Sequence, residues 1–83
     1  MDKRKLTFSE MCKRFAYYDF FNYQFTKTDG TVVRGILYKL DRMLTDTEKK
    51  ELEKFGNVRL FVSQCQYAPE IKTSCIFLAN KVI

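Results

Sequence analysis

The sequence predicts a small α+β domain, in which a curled antiparallel sheet of four or five strands follows one helix and is interrupted by a second short helix between strands 2 and 3. Three observations predict this class: the hydrophobic spacing changes from helical to alternating near residue 19, an Asp-Gly pair divides two alternating segments, and a second helix-start pattern follows them. The chain has 83 residues, 46% hydrophobic and 16% aromatic. We therefore expect a single domain over 1–83 with a real core.

The first helix is predicted over residues 8–17. Thr7 and Glu10 have the spacing of a capping box. The hydrophobic residues that follow recur at i, i+3, i+4 and i+7, as on one face of an amphipathic helix: Phe8, Met11, Cys12 and Phe15. We expect Cys12 to be a small buried residue of this face, because free cysteines are often buried.

A hairpin is predicted from Asp19 onward. Asp29 and Gly30 are typical of a type I′ turn, and a two-residue loop would pair Thr28 with Thr31. That register places five hydrophobic side chains on one face: Phe21, Tyr23, Phe25, Ile36 and Tyr38. Gly35, inside the second strand, indicates a bulge or a sharp bend of the kind found at barrel corners.

The second helix is predicted to begin with the capping box of Thr45 and Glu48 and to end near Phe55, with Gly56 as its C′ residue. The remaining chain predicts a third strand over Val58–Gln66, a fourth over Ile71–Leu78, and a short fifth over Asn80–Ile83.

The hairpin segment resembles a family of small bacterial proteins. Lys27-Thr28-Asp29-Gly30-Thr31 matches the family's turn, Arg34 and Gly35 match the next strand, and residues 72–80 are similar to its closing strand. The family comprises SH3-like β-barrel proteins of unknown function from mobile elements. The resemblance covers about half of the chain, implies a small barrel and brings no catalytic residues. The chain departs from the family in having no Trp.

The charge points to a polyanionic partner. The net charge is +5, and residues 1–42 carry nine Lys or Arg against five Asp or Glu. We expect DNA or RNA to bind chiefly this basic half, with contacts to Lys3, Arg4, Lys5, Lys13, Arg14, Arg34, Lys39, Arg42 and Arg59 and stacking on Tyr17, Tyr18, Tyr38 and Tyr67. The alternative that these cations only keep an aromatic-rich domain soluble stays open.

A protein partner is the competing hypothesis. Val33 and Leu37 lie on the second face of the predicted hairpin, and Phe61 lies on the outer face of the third strand. An exposed apolar stripe of this kind is typical of a homodimer or of a docking module. By analogy with compact phage and mobile-element proteins, such a module would inhibit a host protein complex.

The composition argues against catalysis. The chain has no His, which excludes Ser-His-Asp and Cys-His arrangements. Its three cysteines form no CxxC motif, and no phosphate-binding glycine loop occurs, so we expect neither an enzyme nor a cofactor or metal. An odd number of cysteines and the absence of a signal-like apolar run predict a cytoplasmic protein with free thiols.

Overall fold

A computed structural model describes residues 4–65 and 67–82 of the chain. The elements follow in the order α1 (Phe8–Arg14), β1 (Asp19–Thr26), β2 (Val32–Lys39), α2 (Asp46–Leu52), β3 (Val58–Gln64) and β4 (Lys72–Val82). The strands form one antiparallel sheet in the order β1-β2-β4-β3. The α+β class and the four-stranded antiparallel sheet are confirmed. The sheet is open, with β1 and β3 at its edges, so the expected barrel closure is not confirmed.

The end of the chain differs from the prediction of a separate fifth strand. Asn80 and Lys81 continue β4 beyond an irregularity in its pairing with Arg34 and Gly35 of β2. Because β4 bulges at this point, the sequence pattern breaks although the strand does not. The predicted strand ends at Gln66 and Ile83 lie outside the described residues.

α1 begins as predicted but ends earlier. The Thr7 side chain accepts a hydrogen bond from the Glu10 amide, and the helix ends at Arg14 because Phe15 is extended. Because α1 has only about two turns, few of its side chains are buried. Met11 and Phe15 are buried, whereas Cys12 is exposed, so the prediction of a buried Cys12 was wrong.

The hairpin register is shifted by one residue from the prediction. Phe25 pairs with Val33 and Phe21 with Leu37, and the Lys27 amide donates to the Thr31 carbonyl at 2.8 Å. Gly30 has φ +90°, while Asp29 does not have positive φ. A type I′ turn needs positive φ at both central residues, so the chain instead uses a three-residue loop with Gly30 in the left-handed position.

The corrected register moves β1 side chains relative to β2. Because side chains alternate along a strand, a one-residue slip exchanges the two faces. Phe21, Tyr23 and Phe25 therefore share a face with Val33 and Leu37, not with Ile36 and Tyr38 as predicted.

One face of the sheet is covered by both helices. This helix-covered face holds the larger core, which contains Leu6, Met11, Phe15, Tyr38, Leu40, Leu44, Leu52, Phe55, Ile76 and Leu78. Each fully buried side chain of this size contributes about 1.5–3 kcal/mol to stability. Strand residues alone form the second cluster, on the opposite face, which we call the open face.

α2 is fixed by its ends. Thr45 and Glu48 form the predicted capping box, with the Thr45 amide donating to the Glu48 carboxylate at 2.9 Å. Leu52 and Phe55 are buried against the sheet. Gly56 does not have the positive φ of the predicted C′ residue, and its amide instead donates to the Arg4 carbonyl at 2.8 Å.

Gly35 allows β2 and β4 to approach closely. A methyl group at this position would overlap the backbone of Leu78 and Ala79. The irregular pairing beside Gly35 therefore fits a glycine at this position, because the bulged β4 leaves no room for a side chain.

Candidate functional site

The open face carries a cluster of aromatic side chains, and we call this cluster the aromatic face. It consists of Phe21, Tyr23, Phe25, Phe61 and Phe77. Neighbouring rings lie 5.5–6.4 Å apart between centroids and meet edge to face. Phe77 is buried with Val33 and Leu37 as the floor, while Phe21 is 38% and Tyr23 37% exposed. The face thus has a closed base and an accessible aromatic surface.

Two cations lie over rings of the aromatic face. The Arg59 guanidinium is 4.8 Å from the centroid of Phe25, and the Lys39 ammonium is 5.8 Å from that of Phe21. Both distances fall within the range of cation–π attraction. Lys27, which is exposed, continues the alternation of β1 and lies on the same side of the sheet. Positive charge is therefore held directly beside accessible rings.

A second basic cluster lies on the helix-covered side. The guanidinium groups of Arg4 and Arg14 are 5.5 and 5.4 Å from the Phe55 centroid. Lys54 and Glu51 line the same shallow depression, and Arg14 approaches Glu51 at 4.0 Å. The predicted basic N-terminal half thus contributes Arg4 and Arg14 to one surface.

The other predicted cations are dispersed. Arg42 makes two hydrogen bonds of 2.8 Å to the Glu48 carboxylate, and these hydrogen bonds, with the Thr45 amide, lower the pKa of Glu48 to about 2. Arg34 donates to the Gln24 side chain at 3.0 Å. Lys5 and Lys13 are exposed, and Lys3 lies outside the described residues. The nine predicted nucleic-acid contacts therefore do not form one surface.

The predicted protein-interface residues come together, but two of them are inaccessible. Val33 and Leu37 are 5% and 7% exposed, since the β1 rings cover them, and Phe61 is half-buried. The sequence-based prediction missed Phe21, Tyr23 and Phe25 as members of this surface. If the prediction had used a three-residue loop in place of a two-residue loop, it would have placed these three side chains on the open face.

The predicted stacking role of Tyr38 is contradicted. Tyr38 is fully buried beneath Phe8, Tyr17 and Phe20. It belongs to the core because it lies on the helix-covered face of β2, packed among the residues of the larger core.

The described residues show no group of three or more His, Cys, Asp or Glu that could hold a metal ion. Cys75 lies opposite Phe61, while the Cys65 amide donates to the Ile71 carbonyl, so these two cysteines are not cross-strand neighbours. Within residues 4–65 and 67–82, no helix has the length and apolar character needed to cross a membrane.

Comparison with models of known families, with curated proteins and with solved structures gives no match to this chain.

Proposed function

We propose that this protein binds single-stranded nucleic acid through the aromatic face. The observation that carries the proposal is that the exposed rings of Phe21 and Tyr23 lie with the cations Lys39 and Arg59 on one uncovered sheet surface. Single-strand binders combine these two elements, since aromatic rings stack on bases and cations contact phosphates.

The geometry favours single strands over duplexes. Phe21 and Tyr23 are successive side chains on one face of β1, and their centroids are 6.4 Å apart. This spacing is about twice the 3.4 Å rise per base in a stacked strand. Bases that contact successive rings must therefore be unstacked, which a duplex does not permit without local opening. Each stacked base contributes about 1–3 kcal/mol.

The charge distribution supports a polyanionic partner over an uncharged one. Lys27, Lys39 and Arg59 supply phosphate contacts around the rings, and Asp19 is the acidic residue of β1 on that side. The net charge of +5 and the Arg4–Arg14 depression extend the positive field around the molecule, which speeds encounter with polyanions.

The test is fluorescence anisotropy of labelled single- and double-stranded DNA and RNA between about 50 and 200 mM salt. We expect tighter binding to single strands. Phe21→Ala and Tyr23→Ala should weaken it about tenfold or more, because each removes an exposed stacking surface. Lys39→Ala and Arg59→Ala should each reduce the salt slope by about one.

Lys50→Ala is the matched control, because this exposed lysine lies on α2, away from the aromatic face. An equal loss for Lys50→Ala and Arg59→Ala would show non-specific charge attraction and contradict the proposed site. Absence of binding at low salt would also contradict it, and would favour docking of a protein on the same face.

A further inference from the structure

β1 is an edge strand whose outward backbone groups can be assigned. The Lys27 amide donates to Thr31 and its carbonyl accepts from Gly30, so odd-numbered residues of β1 direct their backbone groups toward β2. Even-numbered residues therefore direct theirs away from the sheet. The Phe20 amide fits this assignment, because it donates to the Asp19 carboxylate at 2.8 Å and not to a neighbouring strand.

The β1 edge lacks the usual protection against pairing. Natural edge strands carry charges, proline or bulges that prevent the addition of another strand. Residues 20–26 contain no charged residue and no proline, and their pairing with β2 is regular over all eight residues of β1. At this edge, the Phe20 side chain on the helix-covered face is 50% exposed, and the Phe21 side chain on the open face is 38% exposed. The strand is thus open to a partner strand.

We propose that a second copy of this chain pairs with the β1 edge in antiparallel orientation about Tyr23. The strand is self-complementary about this residue. The register would place Asp19 opposite Lys27, Phe20 opposite Thr26, Phe21 opposite Phe25, Asn22 opposite Gln24, and Tyr23 opposite itself. Opposite charges then meet at both ends, aromatic rings meet on one face, and amides meet on the other.

The backbone selects this register over its neighbours. The outward N–H and C=O groups belong to even-numbered residues, so even-numbered residues of one copy must lie opposite even-numbered residues of the other. The nearest alternatives to a pairing centred on Tyr23 are therefore centred on Asn22 or on Gln24. Centring on Asn22 would place Asp19 opposite Phe25, and centring on Gln24 would place Phe21 opposite Lys27. Of the three registers, only the Tyr23-centred one places Asp19 opposite Lys27, so only this register forms two symmetric pairs of opposite charge.

The first test is the oligomeric state of the full chain by sedimentation equilibrium. We expect a reversible dimer. Asp19→Lys and Lys27→Glu should each weaken it about tenfold, because each places like charges opposite one another at two symmetric positions. The double variant Asp19→Lys/Lys27→Glu should restore dimerisation to within about threefold of the parent, a rescue that a folding defect would not produce.

The second test reads the register by disulfide trapping in a Cys12→Ser background. Tyr23→Cys should cross-link to itself, because a self-opposed, non-hydrogen-bonded pair brings Cα atoms to about 4.5 Å. Phe21→Cys should cross-link to Phe25→Cys but not to itself.

Asn22→Pro should abolish the dimer without disturbing the hairpin, since it removes only an outward donor, while Asn22→Ala should retain it. A chain that stays monomeric at millimolar concentration overturns the proposal. A dimer that survives both Asn22→Pro and the charge reversals overturns it too, by showing that copies associate through another surface.

Discussion

Tyr38 illustrates how burial governs a single side chain in this fold. Its ring is fully buried, and its hydroxyl has no hydrogen-bond partner among the described residues. Burial is the main cause that raises the pKa of Tyr38 to about 12, with smaller contributions from Cys12 and Tyr17. The hydroxyl is therefore a cost to folding, because an unpaired polar group has lost its contact with water.

We predict that Tyr38→Phe raises the free energy of unfolding by about 1 kcal/mol, since it removes that unpaired hydroxyl. The parent should also lose stability as pH rises from about 10 to 12, because Tyr38 would ionise in the unfolded chain before it does in the folded one. Urea denaturation of both proteins measures the two effects. Tyr67→Phe is the control, because Tyr67 is 76% exposed; a Tyr38→Phe protein less stable than the parent contradicts the argument.

Residue burial could be predicted only in part. The helical spacing correctly indicated that Met11 and Phe15 are buried, but it also included Phe8 and Cys12. A repeat at i, i+4 and i+7 describes a long helix, whereas α1 has seven residues and faces the sheet mainly through Met11. Hydrophobic periodicity indicates which side of a helix is buried, but it does not indicate how many residues on that side are buried.

At the scale of elements, the hairpin was predictable in its position and not in its register. Asp29 and Gly30 mark the turn in either loop type, since both types place glycine at a positive φ. In the observed loop, the Asp29 carboxylate accepts a hydrogen bond from the Thr31 amide at 2.9 Å. The three-residue loop sets the strand register, and this register places Phe21, Tyr23 and Phe25 on the open face.

The start of α2 gives a pH-dependent prediction. Arg42 and the Thr45 amide hold the pKa of Glu48 at about 2, below its value in an unfolded chain. The stabilisation is therefore complete above about pH 4.5 and is lost as the pH falls toward 2. We expect a loss of about 1 kcal/mol or less, because the pair lies at the surface.

Glu48→Gln should remove this part of the acid dependence when unfolding is followed in urea at about pH 6 and pH 3. Arg42→Met should reduce it as well, since the guanidinium is the first cause of the shift. Acid sensitivity unchanged in both variants would show that the pair does not contribute.

At the scale of the molecule, the sequence patterns did not predict the order of the strands in the sheet. β3 and β4 form a hairpin, and their alternation allows either strand to join β2. In the structure β4 is the inner strand, consistent with its consecutive buried residues from Thr73 to Leu78. A strand whose residues are buried on both sides has a continuous apolar run, here Cys75 to Leu78, and this run could have placed β4 inside the sheet.

The two proposals together make a prediction about ligand length. Edge pairing would put both aromatic faces on the same side of one sheet, because opposed residues in an antiparallel pair share a face. Lengthening a single-stranded oligonucleotide from about 4 to about 12 nucleotides should then tighten binding far more for the parent than for Asn22→Pro. An equal gain in the two proteins would show that nucleic acid binds one copy at a time.

Cys12 gives the molecule a selective point of chemical attachment. It is exposed on α1, whereas Cys65 and Cys75 are buried, so a thiol-reactive fluorophore would modify Cys12 preferentially. The dye would sit near Tyr17, whose hydroxyl lies 3.5 Å from the sulfur, on the opposite side of the sheet from the aromatic face. A reporter at this site can therefore follow energy transfer between two copies without obstructing the rings proposed to receive the bases.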